Sequence, residues 1–105
     1  KRFIFIQPEV QQQRLNKFSR ILCTVRGNPP PIVRWRKNGE IVFPDDPRIK
    51  VATNTTSDET VLSELTITSV SRDDNGIYEC EAFDKLGDLR RSSRLLVLGK
   101  MRNVS

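Results

Sequence analysis

The sequence predicts an all-β domain, a two-layer sandwich or a barrel, and three observations carry that prediction. Apolar and polar residues alternate over short runs instead of recurring with a helical period. Clusters of Pro, Gly, Asn and Asp separate those runs. The chain has 105 residues, enough for one core and too few for two.

Each element follows from its own residues. Ile21-Leu22-Cys23-Thr24-Val25 alternates, with Ile21, Cys23 and Val25 on one face. Gly27-Asn28-Pro29-Pro30-Pro31 then forbids a helix and interrupts strand pairing, because proline has no N–H to donate. Strand character resumes from Ile32 to Arg36, and Asn38-Gly39 after it is the strongest short hairpin signal. Pro44-Asp45-Asp46-Pro47 is a second break, before a short strand over Arg48-Ile49-Lys50-Val51. Residues 52–60 are polar and read as a loop. Val61 to Val70 reads as a longer strand in which Leu65 and Ile67 share a face. A turn over 71–76 leads to a strand from Ile77 to Phe83. A hairpin turn at Asp84-Lys85-Leu86-Gly87 leads to the last strand, Leu89 to Leu98.

Composition narrows the chemistry. Leu, Ile, Val and Phe make up about 30% of the chain, above the roughly 20% level typical of disordered segments. There is no run of 18 apolar residues, so no membrane span is expected in this segment. Lys1-Arg2-Phe3-Ile4-Phe5-Ile6 is basic then apolar, but too briefly for a signal-peptide core; a mature segment or a piece of a longer chain is expected. The chain has no histidine. That removes Ser-His and Cys-His nucleophile pairs, HExxH zinc sites and imidazole acid–base work. The expectation is therefore no enzyme, no catalytic residue and no cofactor. The acidic pairs Asp45-Asp46, Asp58-Glu59 and Asp73-Asp74 lack the alternating spacing of a calcium loop, and no metal site is expected. Net charge is +5, from 18 basic and 13 acidic side chains. Such a surface favours polyanions such as heparan sulfate, or acidic proteins. The interleaved aromatic residues of a single-stranded nucleic-acid platform are missing, so no nucleic-acid partner is expected.

Cys23 and Cys80 lie 57 positions apart. Two thiols without histidine make a poor zinc site, which needs four ligands. A disulfide closing a loop of that size would stabilise the fold by about 4 kcal/mol and would point to an oxidising compartment. The alternative is a pair of reduced, buried thiols facing each other.

Three marks then coincide. Trp35 lies 12 residues after Cys23, Tyr78 lies two before Cys80, and Leu65-x-Ile67-x-x-Val70-x-x-x-Asp74-x-Gly76-x-Tyr78-x-Cys80 closes the set. The set resembles the immunoglobulin fold. Gly27-Asn28-Pro29-x-Pro31 ahead of Val33-x-Trp35-x-Lys37-x-Gly39 is similar to its intermediate, or I-set, subclass. That subclass is common in cell-adhesion molecules, receptors and giant muscle proteins. The resemblance covers residues 3–99, leaving 100–105 as a tail or linker. It implies a two-sheet antiparallel Greek-key immunoglobulin-like β-sandwich with an inter-sheet Cys23–Cys80 bridge under the indole of Trp35. It also implies a Tyr78 hydroxyl bonded to backbone at a corner that Gly76 lets the chain turn, and an Arg48–Asp74 pair at the sandwich base. The chain departs from the family pattern in three places. Ser19 stands where an apolar residue is usual, no turn glycine occurs from Gln11 to Phe18, and Phe83-Asp84 replaces an Asn-containing stretch.

Such a domain works through its surfaces. Alternation puts Arg34 and Arg36 outward on one strand, Ile77, Glu79 and Glu81 on a second, and Arg90, Ser92, Arg94, Leu96 and Leu98 on a third. One reading is a solvated face of weak ion pairs. The sharper reading is a partner-binding face, with Phe83, Arg34, Arg36, Arg90, Arg94 and Leu96 as candidates. If the arginine-bearing strands flank the strand of Phe83, as the resemblance implies, the basic groups also approach a heparan sulfate strip, with Glu79 and Glu81 partly cancelling the field. Asn54-Thr55-Thr56 and Asn103-Val104-Ser105 are glycosylation sequons, so Asn54 and Asn103 are candidate sugar acceptors. The expected function is an extracellular protein-interaction module, secreted or part of a cell-surface ectodomain, in adhesion, recognition or receptor/ligand signalling. Its partner would be another protein, met homophilically or heterophilically. The alternative is an intracellular structural domain of a muscle filament or actin-associated protein.

Overall fold

Two sheets face each other across the core in a computed structural model that describes residues 3–42, 45–56 and 59–99. The strands are β1 (Phe3–Gln7), β2 (Val10–Arg14), β3 (Ser19–Arg26), β4 (Ile32–Lys37), β5 (Glu40–Ile41), β6 (Ile49–Thr55), β7 (Thr60–Ile67), β8 (Gly76–Asp84) and β9 (Gly87–Leu98). One turn of 3-10 helix, Arg72–Asp74, joins β7 to β8. One sheet has the order β1-β3-β7-β6 and the other β2-β9-β8-β4-β5. All neighbours are antiparallel except β2 and β9, which run parallel. This is the all-β sandwich that the alternation predicts.

The core is what that alternation buries. Ile21, Cys23 and Val25 of β3 and Val61, Leu65 and Ile67 of β7 point inward, against Trp35 of β4, Tyr78, Cys80 and Ala82 of β8, and Leu95 of β9. Each large aliphatic group withdrawn from water contributes on the order of 1.5–3 kcal/mol. A Cys23–Cys80 disulfide joins the two sheets inside this cluster. Asn38 and Gly39 both adopt positive φ, 50° and 88°, so the hairpin from Lys37 to Glu40 turns as the Asn-Gly signal predicts. Asp84 pairs with Gly87 in a second tight hairpin, whose tip is Lys85-Leu86.

The structure corrects the sequence at three places. Residues 52–55, read as loop, continue β6, and the reason lies underneath them. Thr53 Oγ1 lies 2.8 Å from Ser63 Oγ, which accepts the Trp35 indole N–H at 2.8 Å. The inward position is thus held by a hydroxyl, and polarity hides a strand that sits exposed at the sheet edge. β7 ends at Ile67, short of Val70: the Thr68 amide makes a last in-register bond to Arg48 O, and the Val70 amide bonds Lys17 O instead. Before residue 19 the sequence shows no strand, yet Pro8 divides this segment between both sheets, β1 in one and β2 in the other. Ser93 Oγ donates to Pro8 O at 2.6 Å at the crossing.

The departures from the family pattern also find physical partners. Asn16 takes the left-handed conformation (φ 70°) in the turn that lacks a glycine, a conformation that asparagine tolerates better than most residues. Ser19 is buried, and its hydroxyl donates to Gln11 Oε1 at 2.8 Å.

Candidate functional site

Two groups of sequence-selected residues come together, one inside the base of the sandwich and one on its surface. At the base, the Arg48 guanidinium donates to Asp74 Oδ2 (2.9 Å) and Oδ1 (3.2 Å), to Ser69 O (2.6 Å) and to Asp46 Oδ2 (3.0 Å). Asp74 also accepts the Ser71 amide at 2.7 Å, and its backbone carbonyl accepts the Tyr78 hydroxyl at 2.7 Å. Burial alone would raise the Asp74 carboxyl; the Arg48 and Ser71 bonds outweigh it and leave the group below its usual range. Burial, and then the Asp74 charge, push the Tyr78 phenol up. Gly76 is required nearby: a Cβ there would come 2.8 Å from Asn38 Oδ1, the atom that accepts the Ile77 amide. This cluster ties three loops together.

The surface group lies on the outer face of the β2-β9-β8-β4-β5 sheet. Register sets it in rows across β4, β8 and β9. Ile32, Phe83 and Asp88 form the first row, Arg34, Glu81 and Arg90 the second, and Arg36, Glu79 and Ser92 the third. Ile77 and Arg94 follow, and β2 adds Val10 beside Arg94 and Gln12 beside Leu96. The six candidate partner-binding residues therefore share one face. Leu96 lies farthest from the row of Phe83 and is only half exposed.

At the centre of this face arginines and a glutamate do pair across strands, but the glutamate is not solvated. Glu81 points outward but is only 3% exposed, because three arginines cover it. Arg34 Nε and Arg36 Nε donate to its Oε1 at 2.8 and 3.1 Å, and Arg90 Nη2 lies 3.2 Å from Oε2. The Arg34 bond, helped by that of Arg36, holds the Glu81 carboxyl down to about 2 against the opposing effect of burial. Arg34 is also fixed from its other side, with Cζ 4.9 Å from the centroid of the Phe83 ring. Arg36 donates to Gly39 O at 2.9 Å, and Arg90 to Asp88 at 3.1 Å. The guanidinium groups are thus held in place before any partner arrives.

Sequence reasoning places Glu81 on this face as a charge that partly cancels the arginines, without its burial, and it misses two members, Ile32 and Val10. These are 64% and 61% exposed, and parity with Arg34 and Arg36 is the available signal for Ile32. Asn54 lies on β6 in the other sheet, exposed and opposite Leu62, in a strand rather than the expected loop. Asn103 and the 100–105 tail lie outside the described residues.

Comparison with known proteins agrees with this geometry. Residues 3–83 match the family model of an immunoglobulin domain. The chain is 39% identical over 75 residues to the cell adhesion molecule DSCAM of Gallus gallus, covering 71% of this chain and 4% of that protein. It is 37% identical over 75 residues to the netrin receptor DCC of Homo sapiens, covering 71% and 5%. Among solved structures, a chain of the complex of Dpr2 Ig1-Ig2 with DIP-Theta Ig1-Ig3 superposes with a TM-score of 0.84 and 29% identity, over 92% of this chain and 32% of that one. A chain of the titin M10–obscurin-like 1 complex superposes with a TM-score of 0.79 over 96% of this chain and 97% of its own; at 22% identity it shares the fold. This chain spans at most 5% of the two relatives' length, and they are a cell adhesion molecule and a receptor. With the two-sheet sandwich, its inter-sheet disulfide and the matching family model on one chain, the protein belongs to the immunoglobulin-domain family.

Proposed function

We propose that this domain is an extracellular protein-interaction module of a secreted or cell-surface protein, binding another protein through the outer face of the β2-β9-β8-β4-β5 sheet. The observation that carries this reading is the arrangement on that face. Guanidinium groups held rigid by Glu81 and Phe83 stand between exposed aliphatic side chains, Ile32 at one end and Ile77 and Val10 at the other. Arginine and exposed apolar groups in a pre-organised array lower the ordering cost of association. The relatives support the same reading, being adhesion molecules and receptors by name. The disulfide supports an oxidising compartment. A sugar on Asn54 would stand on the other sheet and leave this face open. Heparan sulfate fits less well, since Glu79 and Asp88 interrupt the basic track.

Two measurements test the proposal. Combined alanine substitution of Phe83, Arg94 and Leu96 is expected to abolish capture of the partner found in an ectodomain array, with the fold intact by circular dichroism. Unchanged affinity would overturn the assignment of the face. Secretion from a eukaryotic cell should give a protein lighter by the two thiol hydrogens under non-reducing conditions, with a glycosidase-sensitive sugar on Asn54. Free thiols, an unmodified Asn54 and failure to secrete would instead support a structural role in an intracellular filament.

A further inference from the structure

The charge on the binding face is not spread evenly, and its distribution restricts the partner. Across β4, β8 and β9, four arginines, Arg34, Arg36, Arg90 and Arg94, share the face with three carboxylates, Glu79, Glu81 and Asp88. One of the three, Glu81, lies beneath the guanidinium groups, where an approaching surface cannot reach it. Three guanidinium groups share the single charge of Glu81, with Asp88 a second carboxylate on Arg90, so the centre keeps a net positive charge. Arg34 meets Glu81 through Nε, and its side chain is still 40% exposed, so part of the guanidinium faces an approaching surface. A guanidinium presenting two Nη donors from a fixed position is suited to a carboxylate.

We propose that the guanidinium groups gathered over Glu81 form a receptor for an acidic segment of a partner protein, with Ile32 and Phe83 accepting an apolar residue beside it. This rests on the reading of the face as a protein-binding surface and gives that surface its partner chemistry. Arg34 and Arg90 flank Glu81 in the same row, and the exposed Ile32 lies one row away toward the hairpin tip. Carboxylates over the arginines and an aliphatic or aromatic side chain over Ile32 and Phe83 complement the face in both charge and polarity. The same charge argues against self-pairing here. A two-fold contact centred on Glu81 would set the Arg34 and Arg90 groups of one copy against those of the other, and each copy brings three guanidinium groups for one Glu81, so positive charge would be left in excess.

The experiment is a titration of the 15N-labelled domain with an acetylated five-residue peptide whose three acidic residues lie between two leucines, followed through the arginine Nε–Hε signals. The control peptide carries the corresponding amides. The acidic peptide is expected to shift the Arg34 and Arg90 side-chain signals and the Ile32 and Phe83 amides saturably, at least tenfold more tightly than the control. Arg90→Gln, which leaves Glu81 its two closer partners and so preserves the fold, should weaken binding about fivefold. Sedimentation of the free domain should show a monomer at low salt. Equal shifts with both peptides, or a dimer dispersed by Arg90→Glu, overturn the proposal. If the acidic peptide moves nothing while the triple alanine variant still loses its array partner, the acidic chemistry is overturned and the binding face stands. Loss of neither overturns both.

Discussion

Glu81 shows how a single side chain on an outer face can behave like an interior one. Its cover consists of guanidinium groups with water just beyond them, so its charge is paired and partly screened at the same time. The linkage has a definite sign. The carboxyl titrates near 4.3 in an unfolded chain and is held down to about 2 here, chiefly by Arg34. Its contribution to stability is complete above about pH 5 and is lost as pH falls toward 2. Urea midpoints measured over that window should fall with pH, and Glu81→Gln should flatten part of the slope. Asp74 acts in the same direction, its carboxyl also lying below its usual range. Arg48→Met would leave Asp74 buried without its guanidinium and the Ser69 carbonyl without its donor. Because Arg48 itself is about one-third exposed, water partly replaces it, and the expected cost in chemical denaturation is about 2 kcal/mol. Which residues face outward was legible from strand parity. The burial of Glu81 was not, because it depends on a register shared by β4, β8 and β9, which parity within one strand cannot supply.

At the scale of elements, legibility followed the strength of alternation. β3 and β7 each carry an inward row of apolar or cysteine side chains with at most one serine among its interior positions, and β8 has the spaced Tyr78 and Cys80. β2, Val-Gln-Gln-Gln-Arg, has one apolar residue and finds its only described partner, β9, some eighty positions later. No local pattern announces such a strand. β6 was hidden because the interior accommodates a hydroxyl chain, from Trp35 through Ser63 to Thr53. Ser63→Ala tests how much that chain contributes. It should strand the indole N–H in the core and cost about 2 kcal/mol, read as a lowered urea midpoint with an unchanged denaturant slope. If stability is unaltered, the β6 edge is held by its backbone ladder alone. Turn chemistry was the most legible feature: Asn38-Gly39 takes the two positive φ values that the dipeptide predicts.

For the whole molecule, the disulfide carries much of the margin. The loop from Cys23 to Cys80 spans more than half of the chain, and opening it should lower stability by about 4 kcal/mol. Paired Cys23→Ala and Cys80→Ala substitutions measure this in chemical denaturation, with retained circular dichroism separating lost stability from a lost fold. The sandwich itself was legible because its signals are distributed along the entire chain. The division of the first strand between two sheets was not, because one proline decides it. That division has a mechanical result. β2 and β9 lie side by side and run the same way, bonded from Arg94 N to Glu9 O at one end through Leu15 N to Leu98 O at the other. A tug that drags β2 backward and β9 forward would strain every rung of this ladder simultaneously, as shear, and would not peel the rungs apart in succession. Any tether joined to the start of β2 and the end of β9 would therefore meet a clasp before it met the core.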